Sequence, residues 1–206
     1  SNVTWDEMLP RLTRDVTTVG VTSEEDAAVT FSIYRKRFRQ GAVLAPRMLT
    51  FVEEGKSSPL GAGAGRVPVV SRKTNQDKPP WKSLPAISDV VEKTFVRPVY
   101  LGETTLPFRT TAPLKAVLPI SPKTGKLLSS SEIAEHEGLS SWWVAAEELW
   151  NANKSANDPG SFLDRIDYIG QLSAQLPSAS QRVVYTKAGN AITAARVDDA
   201  DVVTGG

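Results

Sequence analysis

Residues 129–153, SSSEIAEHEGLSSWWVAAEELWNAN, decide the fold class, because the spacing of the apolar residues changes here. Ser129 and Glu132 are spaced as a capping box, which predicts a helix that ends at Gly138. A second helix over about residues 141–153 is predicted by apolar residues at helical spacing, namely Trp143, Ala146 and Trp150. Ser161 is placed to begin a third helix, whose buried face is expected to include Phe162, Leu163, Ile166, Ile169 and Leu172.

The sequence on both sides of these helices favours strands. Short apolar or β-branched segments predict extended structure at residues 43–52, 67–71, 95–100, 105–109 and 115–120, and a terminal hairpin of residues 182–187 and 191–197. Residues 87–93 predict a helical turn. The prolines at 98, 107, 113 and 119 are expected to restrict their segments to sheet edges or turns. The sum is an α+β fold of short mixed strands with a helical subdomain at residues 129–176.

Charge is segregated along the chain, although the formal net charge is only +1. Residues 31–82 carry eleven basic and three acidic residues, whereas residues 129–170 carry two basic and eight acidic residues. A basic segment is typical of a protein that binds a polyanion. The alternative from charge alone is a set of solvated faces that happen to cluster. Within residues 31–40 a helix places Arg35 and Arg39 one turn apart, and a strand aligns Arg35, Arg37 and Arg39 on one face.

Composition excludes several kinds of site. The chain has no cysteine, so it forms no disulfide, thiolate zinc site or iron–sulfur cluster, and its single histidine, His136, excludes a two-histidine metal site. His136 lies among glutamates, which is more typical of a solvated helix face than of a metal or acid–base site. No apolar run reaches the roughly 20 residues of a membrane helix, and we expect a cytoplasmic protein. The opening Ser1-Asn2 resembles an expression scar and predicts a fragment of a longer protein.

Two motifs invite a methyltransferase interpretation and fail as catalytic motifs. The glycine run at residues 61–65 is followed by Arg66-Val67-Pro68, whereas a cofactor loop belongs between a strand and a helix. Pro79-Pro80-Trp81 is preceded by Lys78, and an ammonium group cannot accept a hydrogen bond from a target amine. We therefore predict no catalytic residue in this sequence.

Aromatic residues among cations suit stacking on nucleic acid. Trp81 follows two prolines in a basic, polar loop over residues 72–82, and we expect this loop to be exposed. The tryptophans at 142, 143 and 150 could stack on bases, but their helical spacing favours a place in the core.

Three segments together resemble the region that follows the catalytic domain in adenine-N6 DNA methyltransferases of restriction–modification and phage-defence systems. The first runs from Tyr34-Arg35-Lys36-Arg37-Phe38-Arg39-Gln40-Gly41-Ala42 through Pro46-Arg47 to residues 51–53. The second is Phe95-Val96-Arg97-Pro98-Val99-Tyr100-Leu101-Gly102-Glu103 with Pro107-Phe108-Arg109. The third comprises the tryptophan-rich helix, the helix at 161–175 and the strand at 182–189.

The resemblance implies a bacterial target-recognition region whose parent enzyme uses S-adenosylmethionine and flips an adenine out of the duplex. On this basis residues 1–82 form a basic segment that adjoins an absent catalytic domain, and residues 83–206 form a target-recognition-like domain. The expected partners are double-stranded DNA and the catalytic domain of the same chain. The fragment itself is expected to hold no cofactor, no metal and no membrane contact. An Asn-Pro-Pro-aromatic motif is expected upstream.

The candidate DNA-binding residues fall into three groups. Those expected to contact the phosphate backbone are Arg35, Arg37, Arg39, Arg72, Lys73 and Lys78, and Lys36 is a further DNA-binding candidate beside them. Those expected nearer the bases are Arg97, Arg109, Arg182 and Lys187, and Trp81 is the stacking candidate. One alternative is that the basic helix packs on the missing catalytic domain. Another is a protein-interaction or scaffold domain whose basic stripe docks an acidic partner.

Overall fold

A six-stranded mixed sheet forms the centre of the chain in the computed structural model, which describes residues 37–56, 61–158, 160–186, 193–199, 201 and 203–205. The strands of this sheet are β1 (Phe51–Glu54), β2 (Arg66–Ser71), β3 (Ser88–Glu92), β4 (Val96–Tyr100), β7 (Leu114–Val117) and β10 (Val203–Thr204). Their order is β10-β4-β7-β1-β2-β3, with β10 parallel to β4 and every other pair antiparallel. Two hairpins lie outside it, β5 (Thr105–Leu106) with β6 (Arg109–Thr110), and β8 (Arg182–Tyr185) with β9 (Ala194–Val197).

Four α-helices accompany the strands in the described ranges. They are α1 (Arg47–Thr50), α2 (Ser130–Ile133), α3 (Glu137–Asn153) and α4 (Phe162–Ile166). Single 3-10 turns occur at Trp81–Ser83, Lys93–Phe95, Gly102–Thr104, Tyr168–Gly170 and Ser173–Gln175. The predicted α+β class and short mixed strands are confirmed. None of these helices is both long and apolar enough to cross a membrane.

The sheet is curled, because its second and sixth strands are joined by one 3-10 turn. β3 and β4 lie four positions apart in the sheet, which would be about 19 Å if the sheet were flat. The turn Lys93–Phe95 between them spans only about 8 Å. Its ends are bonded to both sides of the sheet: Lys93 N–H donates to Gly65 O at 2.9 Å, and Phe95 O accepts from Leu118 N–H at 2.9 Å. Valines from β1, β2 and β4 consequently line one cavity of about 460 Å³: Val52, Val67, Val69 and Val96.

The helices pack on the sheet through α3. Trp142 and Trp150 are almost fully buried, and Trp142 Nε1–H donates to Leu49 O at 3.1 Å. The Glu92 carboxylate on β3 accepts from the backbone N–H groups of Gly138 and Leu139, both at 2.9 Å. A Cβ on Gly138 would lie 2.5 Å from Val90 O, so only glycine allows α3 to approach β3 this closely.

That contact explains one wrong boundary. Gly138 does not end the first helix of the 129–153 segment; it lies in the first turn of α3, which begins at Glu137 rather than near residue 141. No residue close in sequence marks this start, because the carboxylate of Glu92, 46 residues before Gly138, accepts from the free N–H groups at the start of the helix. His136 is half-buried at the N-cap, with its ring 4.7 Å from that of Phe95, so the expectation of a solvated face holds only in part.

Three other local predictions are also wrong. Residues 47–50 within the predicted strand 43–52 form α1, because Asp77 Oδ1 accepts from Arg47 N–H at 2.9 Å and caps the turn. The predicted helical turn at 87–93 contains strand β3, which pairs with β2. The segment that contains Pro98 is not a sheet edge, because β4 pairs with both β7 and β10. Pro98 itself has a partner only on the β7 side, since β10 pairs only with Val99 and Tyr100.

The third predicted helix ends early, at Ile166. Asp167 Oδ1 accepts from the N–H groups of Leu172 and Ser173 at 2.9 and 2.8 Å and starts a new turn there. Ile169 takes a φ of +48° and is 77% exposed, so its predicted burial is wrong, whereas Phe162, Ile166 and Leu172 are buried as expected.

All of these elements belong to one unit, residues 39–206. Strands from both sides of residue 82 share the curled sheet, so the two regions predicted with a boundary at 82 and 83 are structurally joined. Their separate roles stay predictions. Residues 31–36 of the basic segment 31–40 and residues 187–192 of the predicted terminal hairpin lie outside the described residues.

Candidate nucleic-acid interface

The basic loop after β2 is fixed to the body of the protein through Asp77. This carboxylate is buried, and besides capping α1 it accepts from Thr74 Oγ1 at 3.2 Å. Lys73 and Lys78 flank this anchored segment and are exposed. Arg72 lies at the end of β2, with its Nε 3.7 Å from a Glu53 carboxylate oxygen. The loop therefore holds two exposed ammonium groups on an ordered backbone.

A second set of contacts joins this loop to the segment before β5. Gln76 Nε2 donates to Glu103 Oε2 at 3.1 Å, and Arg47 Nη1 donates to Glu103 Oε1 at 3.3 Å. Glu103 lies in the 3-10 turn that leads directly into the β5–β6 hairpin. The structure thus brings the loop that carries Lys73 and Lys78 to the base of the hairpin that carries Arg109.

The β5–β6 hairpin displays an aromatic residue beside a cation. Its turn is Pro107-Phe108, and Phe108 has a φ of +64° and a side chain that is 96% exposed. Arg109 follows and is exposed, and it makes no ion pair with any other described residue. Phe108 N–H donates to Ala194 O at 2.8 Å, which anchors the turn to β9. Thr193 Oγ1 also donates to Thr105 O, at 3.4 Å.

The terminal hairpin beside it has one buried and one exposed face. Val184, Ala195 and Val197 are buried together against Tyr100. Val183 and Tyr185 point to the opposite face and are largely exposed. Arg196 on β9 is exposed and pairs with Asp198 at 2.8 Å. Apolar and cationic groups therefore continue from the Phe108 turn onto the second hairpin.

Two of the predicted base-reading arginines are engaged within the protein. The Arg97 side chain is mostly buried, and it donates to Asp201 Oδ1 at 3.0 Å and to Ile120 O at 3.4 Å. Arg182 Nη2 donates to Asp199 O at 3.0 Å, and burial lowers the pKa of Arg182 despite the nearby Asp199 charge. These contacts engage both guanidinium groups within the protein. Their contact with bases stays a prediction.

Trp81 differs from the expected exposed aromatic. It is half-buried, and its ring stacks on that of Trp150 with centroids 5.6 Å apart and planes 18° apart. The prediction that it ends an exposed loop is wrong to that extent, because the helical subdomain covers one face of the ring. Its stacking on a base stays a prediction that requires the other face.

The structure describes only some of the remaining candidate residues. Arg37 and Arg39 are exposed, whereas Arg35, Lys36 and Lys187 lie outside the described residues. Phe108 was not among the predicted site residues, although the signal was present: a large apolar side chain follows the proline of a two-residue turn and precedes arginine.

A second cavity, of about 560 Å³, lies between β4 and the loop at 121–125. Its cationic lining residues are Lys93, Arg97 and Lys123, and Arg97 is already paired with Asp201. The described residues contain no cluster of histidine, aspartate and glutamate able to hold a metal ion. The chain matches no protein-family model, no curated protein and no solved structure.

Proposed function

We propose that this chain is a double-stranded DNA recognition module, of the kind that follows the catalytic domain in bacterial adenine-N6 DNA methyltransferases. The observation that carries the proposal is the Gln76–Glu103 contact. It joins the loop bearing Lys73 and Lys78 to the base of the hairpin bearing Arg109, so these three exposed cations lie on adjoining elements. The helical subdomain, by contrast, is acidic, with eight acidic and two basic residues over 129–170.

Lysines on an ordered loop suit the phosphate backbone of a duplex. Each neutralised phosphate releases condensed counterions, so such contacts strengthen binding and make it fall steeply with salt. A cation at a hairpin tip can enter the major groove of the duplex, where arginine pairs with guanine through two hydrogen bonds. We therefore assign Lys73 and Lys78 to phosphates and Arg109 to a groove.

Methyl transfer is assigned to a catalytic domain of the parent chain, with S-adenosylmethionine as its cofactor. This division of work follows the resemblance of the segments at 34–53, 95–109 and 182–189 to the recognition region of that enzyme class. The same resemblance supports a cytoplasmic role in restriction–modification or phage defence.

Duplex binding across a salt series tests the proposal. With a long mixed-sequence duplex and fluorescence anisotropy, the Lys73→Ala/Lys78→Ala double variant should reduce the slope of log affinity against log salt by about two. The matched control is Lys123→Ala/Lys126→Ala, which removes two exposed lysines from a different loop and should leave the slope unchanged. Absent binding at low salt, or equal losses in both double variants, would refute the proposal.

One observation favours a second function, a protein-interaction module. Phe108, Val183 and Tyr185 are exposed apolar residues on adjoining hairpins, and such residues also suit a protein partner. A module of that kind would bind its acidic partner through the same cations. It would show no measurable affinity for duplex DNA in the same titration.

A further inference from the structure

We infer that the Phe108 ring acts as a wedge that enters a base-pair step of the bound duplex and unstacks it. This inference rests on the proposed function and adds the mode of engagement: the chain deforms the duplex that it binds. The shared chemistry is stacking of an aromatic ring on bases, which a single strand could also provide. We commit to the duplex.

The backbone conformation of the turn does not favour an aromatic residue at position 108. In the described ranges Phe108 and Ile169 are the two residues other than glycine with a positive φ. Elsewhere the chain places glycine at such positions, for example Gly63 and Gly125. A bulky L-residue in this region is disfavoured by contact between its Cβ and the backbone. The fold alone would favour glycine or asparagine at position 108.

Packing in the core, the usual reason for a phenylalanine, does not apply at position 108. At 96% exposure the ring gains almost nothing from packing within the protein. Its apolar surface is therefore available to a partner, and burial there would be favourable. Residues that combine backbone strain with exposure occur most often at functional sites.

The turn is also held in one position, as a wedge requires. Phe108 N–H is bonded to Ala194 O, and Thr105 pairs with Thr110 across the hairpin. At its base, Thr105 Oγ1 donates to Leu101 O at 3.0 Å and is buried. A preorganised side chain loses little conformational entropy on insertion.

Charge selects the partner. Arg109 lies next to the ring, and the loop with Lys73 and Lys78 is tied to the base of the hairpin. The nearest acidic residue in that network, Glu103, is engaged by Arg47 and Gln76. A polyanion that also offers flat apolar surfaces is a stack of base pairs, and the cations would hold the phosphates on either side of the opened step.

The experiment uses closed-circular plasmid DNA, which contains many sequences and needs no known site. Plasmid relaxed by a topoisomerase in the presence of the wild-type chain should shift its topoisomer distribution, because opening a step changes the twist of the duplex. Phe108→Ala should abolish this shift and weaken binding by about 5- to 150-fold, with the salt slope unchanged because no charge is removed. Phe108→Trp should retain the shift.

The matched control is Ile169→Ala, which truncates the other exposed residue with a positive φ and should change neither binding nor topoisomers. Salt-dependent binding without any topoisomer shift, or a shift that survives in Phe108→Ala, would overturn the wedge and leave the proposed function standing. Stronger binding to single strands than to the duplex would also overturn the wedge. Absent duplex binding by the wild type overturns both.

Discussion

Phe108 and Ile169 have the same unusual backbone in opposite surroundings. Both are apolar, both have a positive φ, and both are strongly exposed. Phe108 precedes Arg109 and lies on a hairpin tied to a lysine-bearing loop. Ile169 lies two residues after Asp167, at the end of the acidic segment 129–170. On our proposal, the charges around an exposed apolar side chain, and not its exposure alone, select its partner.

The largest expected effect concerns the contact of α3 with the sheet, which we call the joint. It connects the helical subdomain, which carries Ile169, to the sheet. Trp142→Ala should lower the free energy of unfolding by about 3–5 kcal/mol, because it empties a fully buried site and leaves Leu49 O without its donor. Urea titrations followed by tryptophan fluorescence and by far-UV circular dichroism measure it. Tyr168→Ala, at a largely exposed aromatic, is the control and should cost less than 1 kcal/mol. A comparable loss in both variants would contradict the assignment of Trp142 to the joint.

Gly138→Ala tests the same joint by steric means. The added Cβ would meet backbone atoms of β3, so α3 has to shift, and we expect a loss of about 2 kcal/mol in the free energy of unfolding. Gly160→Ala is matched, because the nearest atom to its Cβ is the Asp164 carboxylate at 3.5 Å. Equal urea midpoints for the Gly138 variant and the wild type would show that the stability of the protein does not depend on this close contact between α3 and β3.

Glu92→Gln should make the joint less sensitive to pH. Burial raises the pKa of Glu92, but hydrogen bonds from Gly138 and Leu139 N–H and the Arg66 charge outweigh it, so the pKa lies below the usual value of 4.5. A lowered pKa in the folded state means that the carboxylate stabilises the protein above about pH 4.5 and that this contribution disappears as pH falls through the folded pKa.

We therefore expect Glu92→Gln to cost about 1–2 kcal/mol near pH 7 and progressively less below about pH 4.5. Thermal or urea unfolding of both proteins between pH 3 and 7 gives the difference directly. A constant difference over that range would mean that Glu92 does not act through its charge.

The smallest effect compares the two turns themselves. Phe108→Asn and Ile169→Asn should each raise the free energy of unfolding by about 0.5–1 kcal/mol, because asparagine tolerates a positive φ better than phenylalanine or isoleucine does. Only Phe108→Asn should weaken duplex binding. If Ile169→Asn weakens it equally, charge does not distinguish the turns.

The two capping boxes and the buried face of α3 depend on neighbours in sequence, and these predictions were confirmed. The Ser129–Glu132 capping box forms, with Ser129 N–H donating to Glu132 Oε2 at 2.8 Å. Ser161 caps α4 in the same way through Asp164. The tryptophan-bearing face of α3 is buried as its spacing indicated. The exposure of Lys73 and Lys78 also follows from the sequence, because polar loops are encoded over a few residues. The predicted strand at 105–109 is wrong, because a turn at Pro107-Phe108 divides it into the two strands of a hairpin.

By itself, the sequence determined the α+β class, the capping boxes, the buried face of α3 and the segregation of charge, because each depends on residues within one or two turns of one another or on composition. Only the tertiary structure decided where α3 begins, how the sheet curls and which loop lies against the base of the β5–β6 hairpin. Glu92 accepts from Gly138 N–H, 46 residues away, and Arg97 pairs with Asp201, 104 residues along the chain. Such contacts leave no periodic signal, because they depend on the path of the whole backbone between the two residues.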